Sequence, residues 1–185
     1  MIWLPWLRLA GRMGPRFFHK ATLGTLTIGF GSTSSVASLP VMMEEAGSNL
    51  KLSREVYPLV LSLLAPLHKA GSALFQAAAV VFLASVYDIP FPLSAMGGVF
   101  MAIFLVALTV APVPSASVVT LAPALDAVGI PLAGLGILFG VDRIPDMFRS
   151  GLNINGHMVW AVVVEELTMG RTGPGGSREA AAPPA

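Results

Sequence analysis

Apolar residues run through most of this chain, but polar or helix-breaking residues interrupt each long run near its middle. Residues 17–43 are apolar at both ends and break at GFGSTSSVAS, followed by Leu39-Pro40. Each half is shorter than the ~20 residues an α-helix needs to cross a bilayer. The pattern predicts a re-entrant hairpin over 16–48, two short helices meeting at a polar tip. Irregular backbone at that depth is tolerated only where protein surrounds it or it lines a cavity. The polar loop EEAGSNLKLSRE comes next, and Ser53 is placed to cap the following helix. That helix, 54–87, is long but broken around Pro66-Leu67-His68-Lys69-Ala70-Gly71-Ser72. Pro66 removes a backbone donor, and Gly71 loosens the helix on its C-terminal side. Residues 92–128 repeat the first pattern as a second hairpin, with Ala111-Pro112-Val113-Pro114-Ser115-Ala116-Ser117 at its tip. Two interrupted segments in corresponding places point to a substrate site between them.

The last unit, 132–167, reads as one helix with a polar face. Asp142, Asp146, Arg149, Asn153 and His157 succeed one another at spacings of 4, 3, 4 and 4. At roughly 100° per residue these fall on one side of a helix. An ionisable group costs about 2.5–3.5 kcal/mol to insert at the centre of a bilayer, so such a stripe faces protein or a water-filled cavity. It reads either as a binding site or as self-neutralising pairs, for example Asp146 with Arg149.

Composition makes this a membrane chain: 55% of residues are hydrophobic and 11% charged, with a mean hydropathy of +0.76, against about 25% charge in soluble domains. Residues 89–125 carry no charge at all. The net charge of +1 leaves no electrostatic case for a nucleic-acid partner. Cysteine is absent, which excludes disulfides and thiolate metal sites. His19, His68 and His157 have no ligand spacing, so no metal site is expected. No nucleophile–base pair is suggested by spacing, and an enzyme is not expected. Arg8, Arg12, Arg16 and Lys20, with Trp3 and Trp6, suggest that segment 1–15 begins an interfacial, cytoplasmic-side element. The Gly/Pro/Ala-rich tail, 170–185, is expected to be disordered.

Four segments in this order resemble the C-terminal half of the dicarboxylate/amino acid:cation symporter family, which includes the glutamate transporters. STSSVASLPVMM resembles the family's serine-rich first tip and its T-L-P-V-T-M continuation. GSALFQAAAVVFLA resembles the stretch after its N-M-D-G-T motif. APVPSASVVTLAPALDAVGIP resembles its V-P-G-x-G second tip and the V-G-L-P ending. DRIPDMFRSGLNINGH resembles D-x-x-x-D-M-x-R-T-x-x-N-V-x-G-D, the most specific of the four. The likeness covers about residues 16–170.

It implies an all-α integral membrane, multi-pass transport unit over 16–169 in a cell membrane, in contact with membrane lipid. The activity it implies is symport of an acidic amino acid or dicarboxylate by an elevator-like movement. The two hairpins would act as gates, with Pro112, Pro114 and Ser115 in the second. Arg149 would pair with a substrate carboxylate as a planar, bidentate fork. Asp146 would hold an ammonium, Asn153 and Ser150 would bond the α-carboxylate and nearby groups, and Ser35 would add contacts from the first tip. Asp142 falls in the cation region. A homotrimer is implied as well.

The chain departs from the family where cations bind. N-M-D becomes His68-Lys69-Ala70, and the last aspartate becomes His157. Sodium wants oxygen ligands and negative charge, so Na+ coupling is in doubt. Lys69 is expected as an internal counter-charge. His68 and His157 are either satisfied neutral imidazoles or proton-coupling groups. Ser115, Ser117 and Pro112 stand where the second tip is glycine-rich, which stiffens the gate. The family's first six helices have no counterpart here, and an N-terminal half or second polypeptide is expected to supply them. The competing expectation is a degenerate or partial member acting as a non-transporting membrane interaction module.

Overall fold

A single helix, α11 (Arg143–Met169), forms the axis of the structure, and most of the other elements pack on it. The computed structural model describes residues 4–9, 13–90, 93–111 and 113–169, and all regular structure among them is helical. Ahead of α11 come α1 (Leu4–Leu9), α2 (Pro15–Ala21), α3 (Leu23–Ser32), α4 (Leu39–Ser48), α5 (Tyr57–Leu67) and α6 (Ala70–Val86). Between these and α11 lie α7 (Leu93–Ala107), α8 (Ala116–Val119), α9 (Ala122–Ala127) and α10 (Gly134–Val141). Segments 1–3, 10–12 and the tail 170–185 lie outside the described residues, as does Pro112 of the second tip.

The interior divides into two apolar clusters. One gathers α1 to α5 around the C-terminal half of α11, through Leu7, Phe18, Met42, Leu61, Ile154 and Met158. The other gathers α6 to α10, through Leu83, Ile103, Leu121, Leu125 and Leu138. Asp146, Arg149, Ser150 and Asn153 lie in the N-terminal half of α11, where Gly71 of α6 and Gly29 of α3 approach it closely, and Glu165 and Glu166 lie near its other end.

The breaks fall close to their expected places, with shifts that have local causes. Residues 29–32 of the GFGS run remain helical, so the first turn is only Thr33–Ser38. Thr33 ends α3 in a left-handed conformation (φ 53°), and its N–H still donates to the Gly29 carbonyl. The long apolar helix does break, between Leu67 and Ala70. It starts at Tyr57 rather than at a Ser53 cap: Val56 occupies the cap position, and the Ser53 hydroxyl donates to Glu165 instead (2.8 Å). The return limb of the second unit is two short helices, since Pro123 starts α9 afresh. The last unit is likewise split, between Val141 and Arg143. Pro145 has no N–H for the Val141 carbonyl, although Asp142 keeps helical dihedrals and accepts from the Asp146 N–H at 2.8 Å.

The charged residues of the site are buried while large apolar side chains face outward. Phe148 is 65% exposed, whereas its neighbour Arg149 is 4% exposed. Leu59, Leu63, Leu67, Phe100, Phe104 and Ile144 also face outward. Water would not tolerate so much outward apolar surface, but lipid would. The stretch Tyr57–Val86 is long and apolar enough to cross a membrane, and the helices Met96–Ala107 and Ala116–Ala127 are apolar but shorter.

Candidate functional site

All five members of the polar stripe are buried: Asp142 at the junction of α10 and α11, and Asp146, Arg149, Asn153 and His157 on α11. Arg149 is their electrostatic centre. Its guanidinium forks onto Asp142, Nη1 to Oδ1 at 2.6 Å and Nη2 to Oδ2 at 3.1 Å. It also reaches Asp146 Oδ1 at 2.8 Å and lies 4.3 Å from the centre of the Phe75 ring. Bidentate, charge-assisted pairs of this kind are the strong ones. Two carboxylates therefore share one guanidinium: the Asp146–Arg149 pair is present, and Asp142 adds a carboxylate in excess of it.

The rest of the stripe holds neighbouring elements. Asp146 Oδ2 accepts the N–H of Ser115 at 3.0 Å, at the tip of the second helix–turn–helix unit. Ser150 donates to the Thr33 carbonyl at 3.2 Å, at the tip of the first. Asn153 Oδ1 accepts the N–H of Gly71 at 2.7 Å, and its Nδ2 donates to Ser72 Oγ at 3.2 Å. A tertiary contact thereby satisfies one of the otherwise orphaned amides at the start of α6. The approach is close enough that a Cβ on Gly71 would strike the Arg149 carbonyl. His157 Nε2 donates to the His68 carbonyl at 3.0 Å, and the two rings meet edge-on at 5.4 Å. That bond leaves Nδ1 of His157 as a buried acceptor without a partner.

Between the two tips, α6 and α11 lies a cavity of about 10 Å³, room for about one water. Ser35, Asp146, Arg149, Ser150 and Asn153, the five residues expected to bind substrate, all line it. Lys69, expected at a cation position, lines it too. Asp142 stands behind Arg149, outside the lining, and His68 and His157 lie outside it as well. Of the expected gate residues, Ser115 starts α8 in a left-handed conformation (φ 60°) and Pro114 precedes it in the turn.

Several contributing residues escaped sequence reasoning. Thr33 and Ser72 line the cavity, and Thr33 Oγ1 is buried without a partner. Gln76 is fully buried, and its Nε2 donates to the Ser117 carbonyl (3.0 Å) and to Thr120 Oγ1 (2.9 Å). A glutamine one turn beyond Ser72 in an apolar helix was a legible signal, because a polar group at that depth needs a partner.

Comparison with known proteins bears on this geometry. A family model described as the sodium:dicarboxylate symporter family matches residues 1–167. The chain is 31% identical over 160 residues to a proton/sodium-glutamate symport protein of Geobacillus stearothermophilus, covering 85% of this chain and 38% of that protein. It is 34% identical over 142 residues to a proton/glutamate-aspartate symporter of Bacillus subtilis, covering 75% and 33%. It is 31% identical over 175 residues to excitatory amino acid transporter 1 of Ambystoma tigrinum, covering 91% and 31%. The chain thus spans about a third of the length of these relatives.

Proposed function

The chain belongs to the sodium:dicarboxylate symporter family, and from that premise we propose that it is the substrate-binding part of a secondary symporter for an acidic amino acid or dicarboxylate. The family is one of membrane transporters rather than enzymes. The observation that carries the proposal is the convergence of both helix–turn–helix tips and the α11 stripe on one polar cavity. The helix pairs α3/α4 and α7/α8–α9 act as re-entrant gates in a multi-pass transport unit that moves as one body. Arg149 is the recognition group for a substrate carboxylate. Before substrate arrives it is held by Asp142 and Asp146, and a substrate carboxylate replaces Asp146 on the guanidinium. Asp146 also holds Ser115, so substrate entry and release of the second gate become one event.

Coupling does not follow the sodium pattern in this reading. Asp142 and Asp146 are engaged by Arg149, Ala70 offers no carboxylate, and His157 is an imidazole. The edge-on His68–His157 pair, joined by the His157 Nε2 bond to the His68 carbonyl, is the proposed proton-coupling element.

The test is binding of L-aspartate, L-glutamate and succinate to the purified chain in lipid. Arg149→Ala should weaken binding by about 30- to several-thousand-fold, the loss of a buried charge contact worth about 2–5 kcal/mol. Unchanged binding would remove Arg149 from the site. A second reading, a non-transporting membrane interaction module, is favoured by one observation, the engagement of Arg149 by carboxylates of its own chain beside so small a cavity. Failure of the unsubstituted chain to bind any of the three ligands would select it.

A further inference from the structure

Lys69 is the one cavity-lining cation to which the proposed transport cycle gives no role. It occupies the break between α5 and α6, at the cap position of α6, and is 6% exposed. A lysine ammonium brings three donors and no acceptor. Among the described residues no side chain pairs with it, in contrast to Arg149, whose guanidinium is engaged by two carboxylates. Its position makes the deficit worse. The start of a helix carries partial positive charge and favours anions, and α6 is 17 residues long. Lys69 also borders a second, apolar cavity of about 330 Å³ against Phe104 and Ala107 of α7. The four-carbon stem suits that apolar wall and the ammonium suits the polar cavity, as lysine side chains commonly divide. In the polar cavity the Thr33 hydroxyl is a further buried group without a partner.

An ammonium with no carboxylate partner among the described residues, a positive helix end and an unpaired hydroxyl on one cavity call for an acceptor that carries negative charge. The opposite holds for a ligand ammonium. Before a ligand arrives both oxygens of Asp146, its natural acceptor, are engaged, by Arg149 and by the Ser115 N–H, so an incoming ammonium competes with both. Lys69 on the same cavity repels a second cation. We propose that Lys69 is a specificity-determining, anion-binding residue: it holds one carboxylate of a ligand whose other carboxylate lies at Arg149, and it selects a dicarboxylate lacking an amino group over an acidic amino acid. This rests on the transport reading and narrows its substrate.

The experiment measures succinate and L-aspartate affinity of the full chain in lipid, unsubstituted and as Lys69→Met, Lys69→Arg and Arg149→Ala. The unsubstituted chain should bind succinate about tenfold or more tighter than L-aspartate. Lys69→Met keeps the stem and removes a buried charge, so folding is retained. It should lower succinate affinity about 30-fold and reduce the preference over L-aspartate, and Lys69→Arg should restore most of both. Unchanged succinate affinity in Lys69→Met, with binding lost in Arg149→Ala, overturns this proposal and leaves the transport reading standing. An equal fall for both ligands also overturns it and makes Lys69 a plain counter-charge. Binding of neither ligand by the unsubstituted chain overturns both.

Discussion

Arg149 illustrates how a single buried side chain can hold a site together before any ligand arrives. Its two carboxylate partners are each 5% exposed or less, so removing the guanidinium leaves two uncompensated charges. Arg149→Ala should therefore lower stability by about 3–5 kcal/mol, read as a shift in the unfolding midpoint in detergent. Adding Asp142→Leu should return part of that loss, because the partner no longer needs a counter-charge. Strictly additive losses would show that the pair is not coupled. Gly71 is the other residue on which this geometry depends. A Cβ there meets the Arg149 carbonyl, a backbone atom that no rotamer change can move. Gly71→Ala should cost about 1–3 kcal/mol through overpacking, with protection of the position-71 amide lost as α6 draws away from Asn153.

At the scale of elements, the two helix–turn–helix units are held by different devices. The base of the first is tied by Glu45 of α4, whose carboxylate accepts the N–H groups of Gly24 and Thr25 at 3.0 and 2.9 Å at the start of α3. Asn49 adds a bond to the Ala21 carbonyl at 2.9 Å. Loss of such a helix-start acceptor costs about 0.5–2 kcal/mol. Glu45→Ala should accordingly raise amide exchange at Gly24 and Thr25 by about tenfold, while α6 and α11 keep their protection. The second unit depends on its tip. Ser115 adopts φ 60° with its N–H on Asp146, a conformation open to glycine and difficult for a β-branched residue. Ser115→Val should lower stability by about 1–2 kcal/mol and Ser115→Gly should not. Equal midpoints for the two variants would contradict a strained tip.

For the whole molecule, two connections tie distant parts of the chain to the last turns of α11. Trp6 of α1 lies 6.0 Å from Trp160, and Ser53 bonds Glu165, four residues before the Met169 end of the helix, through both its N–H and its hydroxyl. The chain has no cysteine, so single reporters need no background removal. Arg54→Cys and Thr168→Cys should label from the same side of a sealed vesicle, and labelling from opposite sides would contradict this end-on arrangement. Energetic coupling is the second property of the whole. An ion shifts an equilibrium only through differential affinity for its states. With the stripe carboxylates engaged by Arg149 and the Lys69 ammonium on the same cavity, substrate affinity should change less than about twofold per decade of sodium at fixed ionic strength. A tenfold rise per decade would mean that a working cation site persists.

Much of this architecture was legible in the chain because it depends on local chemistry. Pro66 with Gly71, and the Ser/Thr run after Gly31, interrupt apolar runs that are otherwise helical, because proline lacks a donor and small polar residues favour turns. The α-helical period alone places Asp142, Asp146, Arg149, Asn153 and His157 on one face, and the cost of charge in lipid requires that face to be buried. Local chemistry does not say what the face holds. That Asp146 bonds Ser115, Ser150 bonds Thr33, Asn153 caps α6 and Glu165 bonds Ser53 depends on how helices distant in sequence cross and rotate. Periodicity along one helix carries no information about its neighbours' register. The same limit applies to Lys69. Its sequence position marked it as a charge out of place, but only the packing of α6 against α11 and both tips decided that it borders the polar cavity with no carboxylate of its own among the described residues.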